Sequence, residues 1–234
     1  MGELAARHVR PEIESVLTTT DGMAQEPHPH AISLSLPWGP AVRGLRWPGG
    51  VGTAVLIHEP GADLDAWRTL PAALAATLDL EVTAWDLPGH GLSDDPWDLS
   101  QVTQIVKALF GDAGRGQHHF AIAAGESAFA ALNVAANQSC SGLVLFTPRD
   151  SDDAIAIERS PAVPKLFLAG ALSGNDVSTA RRLARDSGGW SIVTSLPETA
   201  GGTTLLASGS AAMILDQIGV FLGDCLFRSR EPAD

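Results

Sequence analysis

The side chains able to bind a metal or exchange a proton near neutral pH are seven histidines, at positions 8, 28, 30, 58, 90, 118 and 119, and none follows residue 119. His28 and His30 form an i,i+2 pair, but Pro27 and Pro29 flank them, and a Pro-rich pair of this kind reads as a solvated loop rather than a metal centre. Cys140 and Cys225 have neither Cys-x-x-Cys nor Cys/His ligand spacing, so they read as two buried, reduced thiols. No metal and no cofactor is expected. The chain carries 15 Lys+Arg against 27 Asp+Glu, for a net charge of −12, with only Lys107 and Lys165 as lysines. Lacking a basic stripe to neutralise phosphates, it is not expected to bind nucleic acid or an anionic membrane surface.

The elements that must position any active group follow from periodicity. At 234 residues and 45% apolar content, the chain can bury one sizeable core, and no long uncharged apolar run is present to span a membrane. Residues 1–30 mix charges, three threonines and the Pro-rich stretch without a sustained apolar period, and read as an arm. With no leader-like segment over residues 1–16, a cytoplasmic location is expected. The domain is expected over 31–228, with 229–234 as a tail.

Within it, short runs rich in Val, Ile, Leu and Phe predict strands at 31–36, 42–46, 53–57, 81–85, 120–124, 142–146, 165–169 and 190–195. The first two suit a hairpin across 37–41, and the later ones are joined by helix-length connections, as parallel strands require. Asp98 with Gln101 suits a capping box ahead of the apolar face Val102, Ile105, Val106 and Leu109. Ile214, Ile218, Phe221, Leu222 and Cys225 form the matching stripe of a final helix. The fold class is α/β, a mostly parallel sheet covered on both faces.

Three segments at strand ends carry a further pattern: Leu56-Ile57-His58-Glu59-Pro60-Gly61 after the third strand, Asp86-Leu87-Pro88-Gly89-His90-Gly91-Leu92-Ser93 after the fourth, and Gly125-Glu126-Ser127 after the fifth. In this order they resemble the α/β-hydrolase family, over about residues 31–228. The resemblance implies an eight-stranded sheet with Ser127 as nucleophile on a sharp strand-to-helix turn, and a helix over 128–136. It also implies an oxyanion hole formed by the Ala128 N–H and an N–H of the loop after His58, and an acid at Asp176 or, alternatively, Asp150. Only 18 residues separate Phe146 from Lys165, with room for a short helix over 152–159 but not for a large cap. An open cleft for a small apolar or acyl-type ligand is expected.

The sequence departs from the pattern at the groups that do the chemistry. The family supplies its imidazole after the eighth strand, where this chain has Gly201. His118 and His119 precede the fifth strand, roughly 17 Å or more from its other end at ~3.3 Å per residue. His90 follows the fourth strand, roughly 10 Å away across the sheet, which leaves His58, one strand across, as the stand-in. The loop oxyanion position is Pro60, which has no N–H, so Glu59 or Gly61 would have to serve, and Phe129 stands where a small residue is usual. Two outcomes remain open. One is a non-catalytic or strongly impaired protein; the other is a serine hydrolase or acyltransferase acting on small esters, amides or thioesters through Ser127 and His58. Lyase or isomerase chemistry without an acyl-enzyme is a third, weaker expectation.

Overall fold

Phe120-Ala121-Ile122-Ala123-Ala124 and Gly142-Leu143-Val144-Leu145-Phe146 contain no charged residue, the composition of strands buried on both faces. The computed structural model, which describes residues 28–113, 118–149, 162–172 and 174–228, places them in β5 (His119–Ala124) and β6 (Gly142–Phe146), buried throughout. The other strands are β1 (His30–Ser35), β2 (Ala41–Trp47), β3 (Gly52–Ile57), β4 (Leu80–Trp85), β7 (Lys165–Gly170) and β8 (Ser191–Leu196). Each predicted strand is present. The order across the sheet is β1-β2-β4-β3-β5-β6-β7-β8, with β2 antiparallel to both neighbours and the remaining pairs parallel.

Chain order reverses between β3 and β5, because β3 leads outward to β4 whereas β5 leads the other way to β6. In open α/β sheets, ligands bind outside the carboxyl ends of the strands at such a switch point. Both helix layers form. One core cluster packs α2 (Val102–Ala113), α3 (Gly125–Ala135) and α4 (Asp176–Asp186) on one face of the sheet. The other packs α1 (Leu70–Leu78) and α5 (Ala211–Arg228) on the opposite face. The α5 stripe is buried as its spacing requires. Asp98 caps a 3-10 turn, Leu99–Gln101, that leads into α2, accepting from the Ser100 N–H rather than closing the box directly on the helix.

Among the described residues no helix is long and apolar enough to cross a membrane, and no group of three or more His, Cys, Asp or Glu side chains is placed to hold a metal ion. Cys140 is half-buried and Cys225 buried, neither in a disulfide, and burial pushes both thiols up to about 12. Most of the arm expected over 1–30, Asp150, the short helix expected over 152–159 and the tail lie outside the described residues.

Candidate active site

The turn from β5 into α3 is made at Gly125. Ala124 is extended (φ −126°, ψ 149°), Gly125 has φ +57°, and the helix begins at that residue. Helix α3 thus starts three residues earlier than the sequence pattern suggests, and Ser127 lies inside its first turn. The Ser127 side chain is fully buried, and its hydroxyl donates to the backbone carbonyl of His58 at 2.7 Å. Phe129, one turn after Gly125, is part of the core cluster beneath α3.

His58 does not face that hydroxyl with its ring. Its Nδ1–H donates to the Glu59 carbonyl at 2.7 Å, and its Nε2 accepts from the Leu87 N–H at 3.0 Å. Both nitrogens are committed, which fixes a neutral tautomer. Burial lowers its pKa to about 4, opposed by the hydrogen bond to Glu59 and reinforced by neighbouring His90. His90 in turn accepts from the Gly61 N–H at 2.9 Å, so that amide is not free for an oxyanion. The expected stand-in pair, Ser127 with His58, is therefore adjacent in space but joined through a backbone carbonyl.

Glu59 holds the centre. A methyl group at Gly125 would stand 2.7 Å from Glu59 Cβ, and one at Gly202 would overlap Glu59 Oε1. Oε1 accepts from Thr203 at both its N–H (3.0 Å) and its hydroxyl (2.9 Å), whereas Oε2 is buried without a hydrogen-bond partner. The side chain thus bridges the ends of β3, β5 and β8 through the space that side chains at Gly125 and Gly202 would otherwise occupy. Beside it, a methyl group at Gly201 would stand 3.2 Å from Asp176 Oδ2, 3.3 Å from Arg149 Nη2 and 3.3 Å from Thr147 Cγ2. Asp176 belongs to the first turn of α4. Thr147 has φ +44° and its hydroxyl accepts from the Gly202 N–H at 2.9 Å.

No family model matches the sequence. It is similar, at 32% identity over 144 residues, to the dihydrolipoyllysine-residue acetyltransferase component of the acetoin cleaving system of Cupriavidus necator; the match takes in 59% of this chain and 37% of that protein, so the chain spans little more than a third of its relative. Among solved structures it superposes on a predicted CIB-like hydrolase from Thermoplasma acidophilum with TM-score 0.71 and 13% identity, covering 85% of this chain and 99% of the other. Dienelactone hydrolase from Anabaena variabilis gives TM-score 0.69 and 14% identity, over 86% and 99%. The chain has the α/β-hydrolase fold.

In this fold the nucleophile sits on the strained residue of the strand-to-helix turn, with small residues two positions before and after it. Here the strained residue is Gly125, and Ala123 and Ser127 are the small neighbours. The expectation that Ser127 crowns the turn is corrected by two residues, because Gly125 takes the positive φ and Ser127 lies within the helix with its hydroxyl bonded to the His58 carbonyl. The amide following the apex accordingly belongs to Glu126 and not Ala128, which lies a turn into the helix. Pro60 keeps its place after the His58 loop and offers no N–H. Asp176 and Gly201 are brought together as the resemblance implied. Sequence reasoning missed Thr147, Arg149, Gly202 and Thr203. Of these only Gly202, beside Gly201 in a Gly-Gly turn, had a local signal.

Proposed function

We propose that this protein of the α/β-hydrolase fold does not carry out serine-hydrolase chemistry, and that any small apolar or acyl-type ligand it takes is bound rather than turned over. The observation that carries the reading is Gly125 at the apex of the β5–α3 turn, with the Glu59 side chain filling the space a nucleophile would need. An acyl-enzyme requires a hydroxyl or thiol at that point and a base touching it. A carboxylate held there would also repel the negative charge that develops on an oxyanion. The test is hydrolysis of p-nitrophenyl acetate and butyrate by the full chain. Expected is no saturable turnover, and no difference between the protein and Ser127→Ala. Saturable hydrolysis abolished by Ser127→Ala would overturn the reading.

The similarity to the acetyltransferase component favours a second reading, acyl transfer from a thioester. It requires Ser127 to leave its bond to the His58 carbonyl and find a base other than the His58 ring. Acetyl transfer from an acetyl-thioester to a dithiol acceptor, lost in Ser127→Ala, would establish it.

A further inference from the structure

Among the described residues, strand β8 is the last of the sheet and pairs only with β7, so its outer N–H and C=O groups face no other described strand. Its sequence, Ser-Ile-Val-Thr-Ser-Leu, has none of the charges or prolines with which exposed edges are usually defended. Above this edge runs α5, and between the two lies a groove of about 340 Å³. Leu166, Ile192 and Phe221 form its apolar floor, and Asp216, Val220 and Asp224 line it from the helix. Val220 is 67% exposed. Thr194 and Gln217 also line the groove.

From this geometry we propose that the β8 edge and the α5 groove form a docking site for an extended peptide segment of a partner protein, one with an apolar side chain flanked by Lys or Arg. The spacing selects the occupant. Asp216 and Asp224 are eight residues apart on α5, about 12 Å at 1.5 Å per residue, with Val220 midway between them. In an extended segment, side chains at i and i+4 lie on one face about 13 Å apart, with i+2 between. A basic-x-apolar-x-basic strand added to β8 thus sets its two cations opposite the two carboxylates and its apolar residue against Val220, while its backbone pairs with β8. Near the end of α5 the Arg228 guanidinium lies 4.9 Å over the Trp190 ring, which packs against Phe221. A second copy of this chain fits less well. Pairing β8 with β8 across a two-fold axis would bring the carboxylates of two molecules together, each molecule carrying −12.

The test is fluorescence anisotropy of the full chain with a labelled Lys-Thr-Val-Thr-Lys peptide against Glu-Thr-Val-Thr-Glu. Expected is saturable binding of the basic peptide with Kd below about 1 mM, weakened by salt, at least tenfold weaker for Asp216→Lys/Asp224→Lys, and no binding of the acidic peptide. Both aspartates are exposed, and circular dichroism of the variant verifies its fold. Equal binding of the two peptides, binding indifferent to the double substitution, or no binding overturns the proposal. So does a stable dimer by light scattering that Val220→Glu dissociates, which would assign the face to a second copy.

Discussion

Two neighbouring regions above the sheet have been treated in opposite ways. In the loop after β4, the supporting hydrogen bonds are complete: Asp86 accepts from the Leu64 N–H at 2.8 Å and the Leu92 N–H at 2.9 Å, Ser93 donates to the Asp86 carbonyl and accepts from the Arg43 N–H, and His58 joins the loop through Leu87. At the ends of β5 and β8, by contrast, Gly125, Gly201 and Gly202 present no side chains, and Glu59 reaches past Gly125 to Gly202, with Oε1 hydrogen-bonded and Oε2 not. The difference shows which part of this architecture is needed for folding. Buried amides must be satisfied for the chain to fold, which the network around Asp86 does; on the proposed reading, the ends of β5 and β8 need no reacting side chain for that.

This contrast makes stability depend on the supporting network. The largest effect expected is that of pH. Burial holds His58 and His119 at about 4, against an ordinary value of 6.5. Both are neutral in the fold, and between these values the unfolded chain takes up protons that the folded chain does not. Their contribution is full above pH 6.5 and is lost as pH falls through 4, on the order of 3 kcal/mol for each histidine. Urea denaturation between pH 7 and 4 measures it, and about half of the decline should survive in His119→Asn, because His119 lies at the far end of β5. A pH-independent midpoint would contradict the assignment of buried, neutral rings.

Next in size is Asp86→Ala, which strands the Leu64 and Leu92 amides and should cost about 3 kcal/mol of unfolding free energy. Smaller, about 2 kcal/mol, is Glu59→Ala, which leaves the Thr203 amide and hydroxyl without their acceptor but relieves the unpartnered Oε2. If Glu59→Ala proved the more damaging of the two, the carboxylate at the apex would be a structural keystone and the contrast between the regions would fail.

The sheet was legible because fully buried parallel strands are written as continuous apolar runs, and Phe120 to Ala124 or Gly142 to Phe146 admit little else. The stripe on α5 was legible for the equivalent helical reason. The apex was not. Ala123-Ala124-Gly125-Glu126-Ser127 accommodates two frames, one with serine as the reacting residue and one with glycine, and sequence spacing alone does not say which residue takes positive φ. Phe129 was the clue: it is out of place two residues after a nucleophile and ordinary one turn into a helix. Glu59 and Thr203 are 144 positions apart, and no local pattern links a carboxylate in one loop to the amide that binds it in another. Arg149 follows β6 in a segment without periodicity, and only the folded chain brings it beside Gly201.

The central claim is that no reacting hydroxyl stands at the crest of β5, and intact-mass analysis after incubation with a fluorophosphonate probe tests it most directly. The mass of the full chain should remain that of the unmodified protein while a serine esterase in the same tube is labelled completely. Stoichiometric addition of one probe, mapped by fragmentation to Ser127 and absent in Ser127→Ala, would contradict it.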